Sequence, residues 1–393
     1  SEMCIRDRFQ YILGFLEFLV DAVSRQNLDR VSHTIHSWLG LKFSLFMTFI
    51  LVTGTFAVLS LEVDWILNPE MRAGELVESS EIAWGDAYDG LKREYPGYDL
   101  IGIFRFSDPW FNLQTLAITP WQENVRLWSE PVDGNFEGVT TFYSVQRFFR
   151  SMHRNLMMPE RTGVPIVTAM AFPLLISLIA GLIVYKKFWL GFFKRPRFNK
   201  KIRIWSGDIH RLVGLWTSWF IALIALSSVW YFIEELGGDS PPFPGPEVEV
   251  VSRDSILPMG FSGRELDLAV RNALNELPGL EIRRILLPAS RRSPLIIQGD
   301  LSATLVRARA NGVYIDPTNL DVIGSYVGEQ LNMHTRISEA ADPLHFGYFG
   351  GIITKILWFL LGLSMSAMSF TGVIIYSKRL NDKIALRGDN RVR

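Results

Sequence analysis

The chain has 393 residues, of which 48% are hydrophobic, and it carries 40 basic and 40 acidic side chains. Its positive mean hydropathy excludes an ordinary soluble protein, and a formal net charge of zero gives no reason to expect nucleic acid as a partner. Because Cys4 is the only cysteine, disulfide frameworks and thiolate metal sites are excluded as well.

Four apolar windows approach the roughly 20 residues needed to cross a hydrocarbon core about 30 Å thick. They occupy residues 38–61, 163–185, 211–233 and 350–376. The loop after the second window is strongly basic and has no acidic residue before Asp208, and the tail after the fourth window is basic too. By the positive-inside rule, this loop and both termini are predicted to be cytoplasmic, and the two long loops are predicted to lie outside.

The N-terminal segment is predicted to be an amphipathic helix on the cytoplasmic face and not a cleaved signal. Its apolar run, Phe9–Val20, is short, is interrupted by Glu17 and lacks a small-residue cleavage site. The complete predicted order is a cytoplasmic segment at 1–30, a span at 31–61, an outside module at 62–150, a span at 151–186, a basic cytoplasmic loop at 187–206, a span at 207–234, an outside module at 235–333, a span with a preceding histidine segment at 334–377 and a cytoplasmic tail at 378–393.

Each outside loop has the pattern of a small α+β module. A helix that ends at Pro-Gly is predicted at 81–97 in the first loop and at 265–279 in the second, and a Pro-rich linker at 239–246 precedes the second module. Alternating apolar runs follow each helix, and a hairpin is predicted about Asp316 and Pro317. The predicted strands are 98–106, 111–119 and 124–130 in the first loop, and 281–289, 293–300 and 304–310 in the second.

The two halves of the chain share a repeat at the start of the first and third spans. The first reads IHSWLGL at 35–41 and the third reads IHRLVGLW at 209–216. In both, a glycine follows the histidine by four positions, which is one helical turn along the same face. The repeat therefore relates His36 to His210.

A second repeat relates the other two spans. His153 precedes Gly181 by 28 positions, and His345 precedes Gly372 by 27. This register selects His345, and not His334, as the counterpart of His153, although the sequence leaves His334 open as an alternative ligand.

All six histidines lie near span boundaries, three at each predicted membrane face, and the long outside loops contain none. They are His33, His36 and His210 on one side and His153, His334 and His345 on the other. Imidazole is the usual protein ligand of haem iron when no thiolate is present. The pattern predicts two non-covalent b-type haems, although interfacial histidines without a cofactor are the plainer alternative.

The repeat predicts the axial ligands as His36 with His210 and His153 with His345. Iron with two histidine ligands transfers electrons and does not activate oxygen, because both axial positions are filled. His33 is expected to be a neighbour of the haem edge, and His334 could instead line the substrate entrance. The segment Asp342-Pro343 is expected to break the helix between His334 and His345.

Two arginines next to these histidines, Arg154 and Arg211, are candidates for pairing with haem propionates, and solvated interfacial arginine is the alternative. There is no GxGxxG fingerprint and no P-loop, so nucleotide or flavin binding is not supported. No side chain is assigned a catalytic role, since the outside loops hold no histidine that could serve as a base.

The whole plan resembles the PepSY-associated transmembrane family of bacterial inner-membrane proteins, from about Val31 to Lys378. The residues that carry the resemblance are IHSWLGL at 35–41, MHRNLM at 152–157, IHRLVGLW at 209–216 and DPLHFGYFGG at 342–351. The segment NGVYIDPTNLDVIG at 311–324 looks like the hairpin end of a PepSY module. The resemblance implies a four-helix transmembrane bundle with two periplasmic PepSY-like α+β modules and an internal duplication.

Members that resemble this architecture include di-haem ferric-siderophore reductases, which release iron from siderophores in the periplasm. The resemblance thus implies an oxidoreductase of iron acquisition, with a quinol or cytoplasmic reductant as electron donor and a ferric-siderophore as acceptor. Two alternatives remain open. One is a haem-containing electron-transfer subunit of a larger complex, and the other is a non-catalytic PepSY protein that binds and regulates a partner.

Overall fold

The structure, a computed structural model, describes residues 25–185, 187–241, 243, 245–248, 256–258 and 260–392. Of the predicted amphipathic segment at 1–30, residues 1–24 therefore lie outside the described residues. The described chain forms two compact units. The helical unit contains residues up to 52, 169–226 and those from 361 onward, and the sheet unit contains residues 53–168 and 227–360.

Eleven α-helices are present in the described residues. They are α1 Arg25–Val58, α2 Ser60–Leu67, α3 Trp84–Glu94, α4 Val145–Asn155, α5 Glu160–Ala169, α6 Ala171–Val184, α7 Ile202–Trp216, α8 Ser218–Ile233, α9 Gly263–Glu276, α10 Met333–Phe346 and α11 Gly351–Val392. The strands are β1 Asp99–Phe104, β2 Leu113–Ile118, β3 Asn124–Ser129, β4 Phe136–Thr141, β5 Glu281–Leu286, β6 Leu295–Asp300, β7 Gly312–Ile315 and β8 Val322–Tyr326.

Four helical stretches in the described residues are long and apolar enough to cross a membrane. They are Leu28–Val58, Glu160–Val184, Ser218–Gly238 and Gly351–Lys378. In each of these stretches no more than 28% of the most apolar window is buried inside the protein, so most of its apolar side chains face outward, as contact with lipid requires. The chain is a membrane α-helical protein, and its membrane partner is the lipid bilayer.

The sheet unit contains one antiparallel sheet of eight strands in the order β4-β3-β2-β1-β5-β6-β7-β8. The sequence predicted one module in each loop, and the structure brings the strands of both loops into the same sheet. Strands β1 and β5 pair at its centre, with Gly102 opposite Leu286 and Phe104 opposite Arg284. The strand order is therefore symmetric about the centre, with four strands contributed by each loop.

One face of the sheet packs on α3 and α9 and forms the hydrophobic core. Its central residues are fully buried: Ile103, Leu113, Leu127, Ile285 and Ile297 from the strands, and Leu91 and Leu266 from the helices. Burial of each such side chain contributes about 1.5–3 kcal/mol. This core holds the two loops together as one β-rich domain.

The two helices of this domain meet at a reciprocal glycine contact. The amide of Gly85 donates to Asp267 Oδ1 at 2.9 Å, and the amide of Gly263 donates to Asp89 Oδ1 at 2.6 Å. A Cβ on either glycine would overlap the main-chain carbonyl of the other. Each carboxylate therefore caps the helix of the other loop, and glycine permits the close approach.

Two local predictions in the sheet domain were wrong. The predicted strand at 304–310 is an irregular segment that ends in a 3-10 turn, Ala308–Ala310. It leaves the sheet because Arg307 and Arg309 bind carboxylates of α10, and because Leu305 has a positive φ of 53°. Conversely, Phe136–Thr141 is a strand, although the predicted strands of the first loop end at residue 130.

The expected helix break at Pro343 was also wrong. Helix α10 runs from Met333 to Phe346 with Pro343 inside it, so His334 and His345 lie on one helix. Proline removes one donor, and the helix ends soon afterwards, at Gly347 in the left-handed region. The ion pairs of Glu339 and Asp342 described below stabilise this segment against that loss. The predicted hairpin about Asp316 is confirmed by strands β7 and β8.

Candidate functional site

The first histidine pair, called the 36/210 pair, lies in the helical unit. The imidazole rings of His36 on α1 and His210 on α7 have centroids 6.1 Å apart and planes at 73°. His36 Nδ1 lies 2.9 Å from the main-chain oxygen of Ser177, and His210 Nδ1 lies 3.0 Å from that of Met368. A carbonyl oxygen can only accept, so Nδ1 is the donor in both rings, and Nε2 is left with its lone pair.

Each ring of this pair rests against one helical turn that ends in glycine. Gly181 follows Ser177 by four positions on α6, and Gly372 follows Met368 by four on α11. A Cβ at Gly181 would lie 3.4 Å from Cε1 of His36, and one at Gly372 would lie 3.5 Å from Cε1 of His210. The two supports are built alike, and glycine keeps the ring close enough to reach the carbonyl.

The second pair, called the 153/345 pair, lies in the sheet unit. His153 on α4 and His345 on α10 have ring centroids 6.2 Å apart and planes at 33°. His153 lies over Gly54 of α1, where a Cβ would approach its Cε1 to 2.6 Å. His345 Nδ1 lies 2.8 Å from the hydroxyl oxygen of Ser227 on α8, and Tyr231 packs edge-on against its ring at 5.3 Å.

A half-buried ion network adjoins His345. Tyr231 donates to Asp342 Oδ1 at 2.8 Å, and Arg307 donates to Asp342 Oδ2 at 3.0 Å and to Glu339 at 2.9 Å. Glu339 is fully buried and also accepts from Arg309 at 3.0 Å. Burial disfavours the charge of Arg307, but its bonds to Glu339 and Asp342 outweigh that effect and raise its pKa. The network fixes α10, the helix that carries His345.

The geometry of both pairs fits a metal ion held between two imidazoles. A metal–nitrogen bond of about 2 Å, with the ring centre about 1.1 Å farther on, separates the centres of two imidazoles on opposite sides of a metal by about 6.2 Å. Both observed separations agree with this value within a few tenths of an ångström. In the described part of the chain, no group of three or more His, Cys, Asp or Glu side chains could hold a metal ion. The porphyrin ring of a haem would therefore have to supply the remaining ligands of the metal.

The remaining predicted histidines lie outside these pairs. His334 is exposed; its Nε2 is 2.8 Å from the carbonyl oxygen of Gly238, and its ring lies edge-on to Trp230 at 5.6 Å. His33 is exposed as well, and its Nδ1 is 3.5 Å from the hydroxyl of Ser37. The structure thus brings His345 to His153, in the register of the repeat.

The two predicted propionate partners bind protein carboxylates. Arg154 pairs with Glu160 at 2.6 Å, and Arg211 pairs with Asp208, which also binds Arg197 at 2.9 Å. Both arginines are exposed enough to exchange these partners.

One cavity of about 350 Å³ lies along α1 in the helical unit. It is lined by apolar atoms of five residues: Thr34, Ile35, Trp38, Leu39 and Ile176. The lining suits an apolar tail or ring and offers no charged group.

Several residues of the site were missed by sequence reasoning. The spacing of four between Ser177 and Gly181, and between Met368 and Gly372, repeats the spacing found in the histidine motifs and could have indicated them. Nothing in the sequence singles out Ser227, whose hydroxyl is one of many in the spans.

The fold and the histidine pairs define a class: a polytopic membrane protein with a β-rich domain and paired imidazoles. The chain belongs to the family described as the PepSY-associated TM region, whose model matches residues 33–379. Among curated proteins, none matches this chain.

Proposed function

We propose that the chain binds two b-type haems and carries electrons across the bacterial cytoplasmic membrane to a ferric-siderophore in the periplasm. The observation that carries the proposal is the presence of two histidine pairs with ring separations of 6.1 and 6.2 Å. Edge contacts between rings also occur at such separations, but here two pairs from different helices meet at nearly the same separation and in repeated sequence positions.

The chain's own residues would hold and orient the cofactor. His36 and His210 would hold one haem, and His153 and His345 would hold the other. The carbonyls of Ser177 and Met368 keep Nδ1 protonated in the first pair, so that Nε2 of each ring would be the atom free to bind iron. Haem held by two histidines would supply reversible one-electron transfer.

The proposed orientation follows from charge. The basic loop at 187–206 and the tail at 378–393 would be cytoplasmic, which makes the sheet domain periplasmic. The apolar cavity along α1 lies on the helix that carries His36, and its lining is compatible with a quinol as the electron donor. The sheet domain would then meet the acceptor.

Haem content tests the ligand assignment. The purified chain should contain two haems and show b-type bands after reduction with dithionite. Replacing His210 or His345 by Ala should each leave about one haem per chain. The matched controls His33→Ala and His334→Ala should retain both. A haem-free protein, or full haem retention in either ligand variant, would contradict the proposal.

The acceptor is tested separately. The dithionite-reduced protein, freed of excess reductant under anaerobic conditions, should be reoxidised by a ferric-siderophore with formation of chelated Fe(II). Reoxidation by none of a panel of ferric-siderophores would favour an electron-transfer subunit with another acceptor. Absence of haem bands altogether would favour the non-catalytic regulator.

A further inference from the structure

The second face of the sheet, opposite α3 and α9, carries a continuous row of residues across all eight strands. The backbone register places these residues directly opposite one another in the order Gly138, Trp128, Gln114, Phe104, Arg284, Gln298, Gly312 and Tyr326. The row therefore passes through the centre of the sheet, where the two loops meet at Phe104 and Arg284.

Arg284 lies at this centre, and no carboxylate among the described residues forms an ion pair with it, although the charge of Glu339 acts on it at longer range. It is half-buried, and in the described part of the chain its guanidinium makes no hydrogen bond or ion pair, although it lies 5.6 Å from the centroid of the Phe104 ring. Burial lowers its pKa and the positive charge of Arg309 lowers it further, while Tyr326 and Glu339 act in the opposite direction. A partly desolvated guanidinium with no hydrogen-bond partner is unfavourable for folding unless solvent or a ligand supplies one.

The neighbouring Arg283 provides an internal comparison. Its guanidinium donates to Asp300 at 2.7 Å, to Glu281 at 2.9 Å and to the carbonyl of Phe106 at 3.3 Å. A structural arginine of this strand is thus fully paired, whereas Arg284 on the other face is not.

The residue opposite Arg284 is Gln298, a neutral amide. A structural ion pair would need a carboxylate at this position. Gln298 is only 6% exposed, its Nε2 lies 2.5 Å from the hydroxyl oxygen of Tyr326, and its Oε1 has no partner. Arg284 and Gln298, which are neighbours in this row, therefore each have a polar atom without a hydrogen-bond partner. Both belong to the same small region of the face.

The surroundings of Arg284 are apolar and remain partly open. Phe104, Leu116, Leu286 and Ile296 on this face are half-buried, in contrast to the fully buried residues of the core face. Toward β8 the face is covered, because Phe243 stacks on Tyr326 at 4.7 Å and Gly245 lies on Tyr314. Toward β4 the face is covered as well, because Trp128 packs with Met71 and Phe111. The partly exposed residues therefore lie at the centre, around the arginine.

We propose that the centre of this face is a binding site for an anionic ligand that carries flat aromatic rings, and that Arg284 pairs with its anionic oxygens. Given the proposed function, on which this identification rests, the ligand class is an anionic ferric catecholate and not a neutral ferric hydroxamate. Phe104 and the aliphatic side chains would pack against the rings of the chelate. The guanidinium is available because Glu339, the acidic side chain whose charge reaches it, is bound by Arg307 and Arg309.

Gallium(III) chelates test the site without any electron transfer, because gallium(III) is not reduced under these conditions. Calorimetric titration of the full chain in detergent should detect binding of a trianionic hexadentate gallium catecholate, and a neutral hexadentate gallium trihydroxamate should bind at least about tenfold more weakly. Arg284→Gln should weaken catecholate binding about tenfold or more and leave the trihydroxamate unchanged. Arg292→Gln removes the same charge from an exposed turn and should change neither.

A second variant separates binding from folding. Gln298→Glu places a carboxylate opposite Arg284, so it should raise the thermal unfolding temperature and lower catecholate affinity as far as Arg284→Gln does. Equal affinity for both chelates, or unchanged catecholate affinity in either variant, overturns the inference. Haem content is measured on the same samples, so a protein without haem that still binds the catecholate would contradict the proposed function and leave this site standing.

Discussion

The 36/210 pair and the 153/345 pair have nearly the same ring separation but are supported differently. Main-chain carbonyls accept from Nδ1 of both His36 and His210, with the hydroxyls of Ser177 and Thr371 also within 3.2 Å, whereas a side-chain hydroxyl, that of Ser227, lies against Nδ1 of His345. A carbonyl accepts only, while a hydroxyl both donates and accepts. The first pair therefore has its tautomer fixed by the backbone, and the second depends on side chains.

The two pairs also differ in how tightly they are packed and in what surrounds them. The glycine beneath His153 leaves no room for a methyl group, whereas those beside His36 and His210 leave ordinary van der Waals space. An ion network adjoins His345 through Tyr231 and Asp342. We infer that the 153/345 pair is the more sensitive to substitution, and the following predictions test that difference.

The largest effect is expected at the glycines. Gly54→Val should displace the imidazole of His153 and remove one of the two haems, because even a Cβ would lie 2.6 Å from Cε1. Gly181→Ala should keep both haems, since its Cβ would lie 3.4 Å from His36. Gly40→Ala, where no atom lies within 4 Å, is the control. Equal haem loss in the Gly54 and Gly181 variants would remove the distinction between the pairs.

The next effect concerns the ion network. Arg307→Met leaves the fully buried Glu339 with Arg309 alone and should lower the free energy of unfolding by about 3 kcal/mol. Arg211→Met breaks an exposed pair with Asp208 and should change it by less than about 1 kcal/mol. Thermal unfolding in detergent measures both. A similar change in the two variants would mean that the network adds no stability beyond that of a surface pair.

A smaller effect is expected from the groups that orient the rings. Ser227→Ala removes the hydroxyl partner of His345 and should weaken haem binding at that site about tenfold or more. Ser177→Ala leaves the carbonyl that holds His36 in place, so haem affinity should be nearly unchanged. Competition for haem with apomyoglobin measures both affinities, and an equal loss would indicate that the hydroxyl of Ser177, and not its carbonyl, orients His36.

The smallest effect is a pH dependence away from the histidines. Burial raises the pKa of Asp267, and the charges of Asp86 and Asp89 add to the increase. Its ionisation therefore destabilises the folded state as pH rises from the unfolded value of about 3.9 through the folded one.

Asp267→Asn keeps the acceptor for Gly85 and removes the charge, so it should stabilise the protein at pH 7 by less than about 1 kcal/mol. The gain should shrink as the pH is lowered toward 4. Thermal unfolding temperatures across this range measure the effect, and a gain that does not depend on pH would mean that charge is not its cause. Subtracting this contribution isolates any pH dependence that belongs to the histidine pairs.

The features predicted from sequence are those that depend on local periodicity. The four apolar stretches, the helices at 84–94 and 263–276 and the hairpin about Asp316 follow from patterns within each segment. The pairing of His153 with His345 followed from the repeat. The pairing of β1 with β5 could not be predicted, because only tertiary packing decides which strand edges meet. The same holds for Arg307, whose partners lie on a helix about 30 residues later.

The central pairing of β1 with β5 has a consequence for biogenesis. Phe104 and Glu281 are 177 positions apart, and two of the candidate spans lie between them. At about 5–20 residues per second, the ribosome needs on the order of ten seconds or more to deliver the second strand. Until then the nascent four-stranded half has an open edge at β1, which is a site for mispairing. Protection of this edge against mispairing therefore cannot come from β5 during that interval.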